Sequence, residues 1–186
     1  MIKNNIRRES YLKFLNTWKN RDLIKVLSGV RRSGKSTLLA MFQQDLKEQG
    51  VQDENIIAIN FEYMEFEELT DYRKLHDYVL SKVDKNKKNY VFLDEIQHVQ
   101  NFEKVVDSLY IRDYIDLYIT GSNAFFLSGE LATLLTGRYI EQHVLPLSFQ
   151  EFKQWHTENN PTIQQLSNRD LYAMYTRSSF PYTLAM

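Results

Sequence analysis

The chain has 186 residues, 43% of them hydrophobic and 25% charged. That is the mix of one ordinary globular domain, or of one domain with a small appendage. A net charge of −1 removes any global basic field as a reason to expect nucleic acid, and leaves that partner open. There are no cysteines, which excludes a disulfide framework and a cysteine metal site and fits a cytoplasmic protein.

No stretch approaches the roughly 18 apolar residues of a membrane helix. The opening MIKNNIRRES has no apolar run after its charges, so it does not read as a secretory signal. In chain order, residues 10–19 place Tyr11, Leu12, Leu15 and Trp18 on one helical face. Leu23 to Ser28 is a short apolar run leading into glycine, which predicts a buried strand. Residues 35–48 read as a helix with Gly50 as its stop. Residues 55–61 predict a strand, 62–70 (EYMEFEELT) an acidic, aromatic loop, and 71–83 a helix. The lysines 82, 85, 87 and 88, at its end and just beyond, read as a solvated helix end and loop rather than a nucleic-acid patch. Tyr90 to Asp94 is the third strand, 102–112 a helix and 115–120 the fourth strand. Ala124 to Leu135 has helical character weakened by Gly129, and 138–145 is the fifth strand. Ser148, with Glu151 three residues on, predicts a capped helix over FQEFKQWH, and one more helix spans Asn168 to Tyr175. Strands alternating with helices imply an α/β fold in three layers, a parallel sheet covered on both faces. The polar patch 157–162 divides a core, 1–156, from a short helical C-terminal extension, 157–186. The four histidines stand at no metal-ligand spacing.

Residues 29–36 read Gly-Val-Arg-Arg-Ser-Gly-Lys-Ser, the pattern G-x-x-x-x-G-K-[ST] between a strand and a helix. Gly29 and Gly34 let the backbone wrap closely, and the amides from about Arg31 through Arg32, Ser33, Gly34, Lys35 and Ser36 to Thr37 form a nest for phosphate oxygens. The positive end of the following helix adds to it. Lys35 can reach the β- and γ-phosphates, and the Ser36 hydroxyl can ligate Mg²⁺. Arg31 and Arg32 occupy variable loop positions, open to nucleotide or to a neighbouring subunit, with solvent or a structural ion pair as the plainer reading. The run Tyr-Val-Phe-Leu ending in Asp94-Glu95 puts two carboxylates at a strand's C-terminal edge, where open α/β sheets gather ligands. Asp94 suits the Mg²⁺ shell and Glu95 the general base that polarises an attacking water. An apolar run ending in acids is weak evidence alone and strong evidence beside the phosphate loop.

On the stretches 24–39, 90–97, 118–141 and 144–152 the chain resembles the AAA-type P-loop ATPases. More closely, it is similar to a prokaryotic family whose AAA domain is usually followed by a C-terminal domain of unknown function. The resemblance implies a five-stranded sheet ordered 5-1-4-3-2 and ATP rather than GTP. It also implies a polar sensor at Asn123 and an arginine finger at Arg138. A helix cap at Asn123 and a strand-edge ion pair at Arg138 are the plainer alternatives. Ser178 to Tyr182 (SSFPY) falls where the family tends to carry Gly-Gly-Phe-Pro. Relatives usually run longer, and target specificity is expected in their further domain. The function expected is Mg-dependent ATP hydrolysis by a switch or motor, with a homo-oligomer as a possible assembly and no membrane partner. A nucleotide-binding module with negligible turnover and a small-molecule kinase are the alternatives. Glu95 argues against the kinase, whose acceptor needs no activated water.

Overall fold

The computed structural model describes residues 6–121, 135, 137–159, 166–177 and 179–181. Five strands form one sheet: β1 Ile24–Ser28, β2 Ile56–Asn60, β3 Asn89–Asp94, β4 Ile115–Gly121 and β5 Tyr139–His143. Their order is β2-β3-β4-β1-β5 and every pairing is parallel. This is the expected order read from the other edge.

Side-chain alternation along each strand explains the three layers. Ile24, Val26, Val91, Leu93, Leu117 and Ile119 belong to one core. On that face lie α3 (Tyr72–Lys82) and α4 (Phe102–Tyr110), through Leu75, Val79, Val105, Val106 and Leu109. The intervening Leu27, Tyr90, Phe92 and Tyr118 point the other way. They meet α1 (Glu9–Trp18) and α2 (Lys35–Glu48) through Leu12, Leu15, Leu38 and Phe42. Phe92 stacks on Tyr118 with centroids 4.8 Å apart, so the sheet's centre is aromatic on this side.

A third cluster, Ile6, Leu147, Phe152 and Trp155, fixes α5 (Phe149–Asn159) at the corner beyond β5. α6 (Asn168–Arg177) lies on it through Tyr175. Ser148 and Glu151 make the reciprocal bonds expected of the cap: the Ser148 amide to Glu151 Oε2 at 2.7 Å and the Glu151 amide to Ser148 Oγ at 3.2 Å. α5 continues through the start of the polar patch to Asn159.

One segment departs from expectation. Residues 62–70 are not irregular: Met64–Thr70 is a 3₁₀ helix. Asp71 follows it and caps α3 with hydrogen bonds from the amides of Arg73 and Lys74. Its acids carry no apolar periodicity to announce a helix, and the turn is held locally, for example by the Phe66 amide on the Tyr63 carbonyl at 3.0 Å. The expected helix 124–135 lies outside the described residues, apart from Leu135.

Candidate functional site

β1 delivers the chain to the C-terminal edge of the sheet at Gly29, where φ is +148°. A Cβ there would stand 2.3 Å from the carbonyl oxygen of Val144. That carbonyl cannot easily withdraw, because the Val144 amide bonds Ser28 O at 2.7 Å. Gly34, at φ +98°, is the second turn, and α2 starts at the next residue without a side-chain cap. The first amides of α2 are therefore left for an anion. Lys35 is buried at 3% exposure, with Nζ 3.2 Å from Gly29 O, 3.3 Å from Val30 O and 3.3 Å from Glu95 Oε1. The Ser33 hydroxyl is buried in the loop and has no hydrogen-bond partner among the described residues.

The acidic pair meets this loop from β3. Alternation puts Asp94 on the same face as Phe92, the face that α2 covers, and Ser36 of α2 lines the same cavity as its carboxylate. Asn60, its register partner on β2, donates to Oδ2 at 2.8 Å, and the Thr120 hydroxyl on β4 donates to Oδ1. Burial pushes the Asp94 carboxyl above its usual range, against the pull of Thr120 and Ser36. Continued alternation would turn Glu95 to the far face. Instead Glu95 adopts φ +58°, its amide bonds Thr120 Oγ1 at 2.9 Å, and its carboxylate comes back to Lys35. Gln97 donates to its other oxygen. A left-handed non-glycine residue costs of order 1–3 kcal/mol, so this turn is held by its surroundings.

The donor set suits magnesium. Among the described residues no three acids or histidines cluster as a metal cage. Mg²⁺ commonly takes one or two protein oxygens and completes its shell with water and substrate phosphate, which is what Ser36 and Asp94 offer. A cavity of about 280 Å³, lined by Ser36, Asn60, Tyr63, Phe66 and Asp94 among others, adjoins the pair.

Asn60 and Thr120 were not singled out from the sequence, and neither was Arg8. Arg8 is 5% exposed and reaches from the chain's start to the Ser33 carbonyl at 3.2 Å and to Glu151 at 2.8 Å. A cavity of about 720 Å³ opens beside it, lined by Arg7, Tyr11, Leu145, Gln154 and Tyr175 among others, within the range of small-ligand sites. The C-terminal segment also returns to this corner. Leu147 N bonds Ser179 O at 2.7 Å, and Pro181 Cγ lies 3.3 Å from where a Cβ on Gly34 would be. The only signal for it in the sequence was the Phe-Pro pair in the resembling motif.

The structure thus brings together Gly29, Arg32, Ser33, Gly34, Lys35, Ser36, Thr37, Asp94 and Glu95 at one edge. Arg31 leans out of the loop into an exposed pair with Glu62 at 2.9 Å. Asn123 lies outside the described residues. Arg138 is at the opposite end of the sheet. Its carbonyl accepts from Ile24 N at 2.8 Å, and Ile24 is five residues before Gly29 on β1, about 16 Å along a strand. Its guanidinium pairs with Asp107 and lies 5.9 Å from the Tyr110 ring centroid. It cannot serve its own chain's phosphate loop from there.

Residues 21–153 match the family described as AAA domain. An uncharacterized protein of Haemophilus influenzae is 44% identical over 183 residues, 97% of this chain and 45% of its own length. An uncharacterized protein of Methanocaldococcus jannaschii is 38% identical over 141 residues, 73% of this chain and 29% of its own. The chain therefore spans less than half the length of these relatives. Among solved structures, the Walker-type ATPase of Pyrococcus abyssi superposes with a TM-score of 0.66 over 99% of this chain and 68% of that one, at 15% identity. Cdc6p of Pyrobaculum aerophilum does so at 0.57 over 82% and 48%, at 12% identity. At those identities the likeness is one of fold.

Proposed function

We propose that the chain, which belongs to the family of AAA domains, is an ATPase that binds ATP on the loop Gly29–Ser36 and hydrolyses it with Glu95 as general base. The observation that carries this reading is the meeting of two elements at one edge: Lys35 of α2 pairs with Glu95 at 3.3 Å, and Ser36 and Asp94 line one cavity beside them. Lys35 spends its charge on two loop carbonyls and on Glu95. Phosphate oxygens are better partners for that ammonium than carbonyls. Binding would therefore draw Lys35 off Glu95 and free the carboxylate to take a proton from water. Ser36 and Asp94 would hold magnesium, which supplies neutralising charge on the β- and γ-phosphate oxygens.

Arg138 then acts on the nucleotide of a second copy, and Asn123 as the polar sensor belongs to the same proposal. A nucleotide-binding module with negligible turnover is the second reading. It is favoured by the pairing of Glu95 with both Lys35 and Gln97, which holds the base occupied. Phosphate release with ATP alone, followed against protein concentration, separates the two. The proposal expects release, with specific activity rising as copies associate. Tight ATP binding with no release at any concentration would favour the module.

A further inference from the structure

Arg8 is a buried cation that ATP hydrolysis as described leaves without a role. Its side chain is 4% exposed, and its guanidinium carbon stands 4.4 Å from the Tyr11 ring centroid. Nε and Nη2 donate to the two carboxylate oxygens of Glu151 at 2.8 and 3.3 Å. Nη1 donates to the carbonyls of Ser33 at 3.2 Å and Leu145 at 2.9 Å, and Nη2 to that of Pro146 at 3.3 Å. One side chain thus ties the phosphate loop, the exit from β5 and the first turn of α5.

The contact with Ser33 has a directional consequence. A trans peptide sends its C=O and its N–H in opposite directions. The Ser33 carbonyl and the Gly34 amide belong to the same peptide unit. A cation that draws the carbonyl out of the loop therefore turns the Gly34 amide inward, where phosphate oxygens would be received. The contact with Glu151 links this to α5, because that carboxylate also caps the helix through the Ser148 amide. Phe149 and Phe152 pack against Tyr175 of α6, each with centroids 5.7 Å apart, so what moves the start of α5 moves both helices.

We propose that Arg8 is a positioning residue for the phosphate loop, and that its pair with Glu151 links nucleotide affinity to the seating of α5 and α6. This rests on the ATP-binding reading above. Linkage is reciprocal: if a well-seated α5 raises affinity for ATP, then ATP tightens α5. Removing the Glu151 charge leaves the guanidinium buried without its counter-ion, and it relaxes away from the Ser33 carbonyl toward water.

The test is ATP binding by calorimetry at fixed Mg²⁺ on Glu151→Gln, Ser148→Ala and the parent, with hydrogen exchange of α5 in the presence and absence of ATP. Glu151→Gln is expected to weaken ATP about tenfold, an ordinary size for coupling between sites. Inorganic triphosphate, which has no base or sugar, should weaken by the same factor, because the loss is in the loop. Ser148→Ala removes the Oγ half of the cap and keeps both the Ser148 amide on Glu151 and the Arg8 pair, so an effect due only to fraying of the first turn of α5 would be as large in this variant as in Glu151→Gln. Because the Ser148 amide still holds Glu151 and the Arg8 pair is intact, the start of α5 stays seated on the loop, and the proposal expects a loss of ATP affinity clearly smaller than that of Glu151→Gln. In the parent, ATP should slow exchange across residues 149–159, and in Arg8→Lys that slowing should disappear. Parent-like ATP affinity in Glu151→Gln would overturn the proposal. So would equal losses in both variants, or ATP protection confined to the loop in the parent, a result that needs no variant to fold. A parent that binds no ATP would bring down the ATPase reading as well.

Discussion

Lys35 and Gly29 state the account in its smallest form. Lys35 makes a charged contact that a phosphate would take over. Lys35→Ala should weaken ATP by about ten- to a hundredfold, the value of hydrogen bonds to a charged group, and should also lower the melt of the free protein, since it leaves the Glu95 carboxylate without its cation. Calorimetry and a thermal scan read the two separately, and unchanged affinity would remove the loop from the site. Gly29→Ala acts through shape alone. The added methyl meets Val144 O at 2.3 Å in a backbone region that alanine avoids, so the loop must open or the strand pair β1–β5 must part. The expected result is a lower melting temperature together with lost ATP binding, whereas a parent-like melt would mean that Val144 yields. Both residues were legible in the sequence because the phosphate loop is contiguous and its spacing is set by one turn. Asn60, Thr120 and Arg8 were not. Each is an ordinary polar residue whose part depends on parallel register or on a contact 25 residues or more away in the chain.

At the scale of elements, the strands were readable from their apolar runs, and their ends moved by a residue or two because hydrogen-bond partners decide where a strand stops. The 3₁₀ helix Met64–Thr70 was unreadable because its turns rest on local backbone bonds rather than on a buried stripe. The N-terminal edge of the sheet holds a buried pair that the sequence also concealed. Lys25 on β1 and Asp116 on β4 are 0% and 1% exposed, and Asp116 also accepts from Tyr118 and the Asn20 amide. Burial lowers the lysine's pKa, against the pull of Asp116. Lys25→Met alone should cost about 3–5 kcal/mol by urea unfolding, since it strands a buried carboxylate. Lys25→Met with Asp116→Leu should recover part of that loss, and purely additive losses would show that the pair is not coupled. At α5, burial works to raise the Glu151 carboxyl, but Arg8 and the Ser148 amide carry it below its usual 4.5. A depressed acid adds stability above its unfolded pKa and loses it as pH falls through the folded one. The parent should therefore exceed Glu151→Gln in urea resistance at pH 7, and the gap should close as pH is taken below 4.5. A gap that stays constant would place the effect elsewhere than the ion pair.

For the whole molecule, the parallel order β2-β3-β4-β1-β5 puts the phosphate loop and Arg138 at opposite ends of adjacent strands. The sequence reading placed Arg138 at the start of the strand beside the loop-bearing one, and in a parallel sheet that start lies at the end away from the loop. A second copy is the one way this arginine meets a nucleotide. Arg138→Ala should bind ATP like the parent and turn it over more slowly. Mixed with Glu95→Gln it should regain part of the activity, since one interface then joins an intact Glu95 to an intact Arg138. A mixture that stays inactive while its subunits are shown to exchange would leave Arg138 with its Asp107 pair alone. The central claim, that this fold's edge is an ATP-hydrolysing site, is tested most directly on Glu95→Gln by measuring Mg-ATP affinity and phosphate release in the same preparation. The account predicts affinity equal to or tighter than the parent's, because Lys35 no longer has a carboxylate to hold, with release abolished because an amide cannot take the proton of water. Phosphate release at the parent's rate would contradict it.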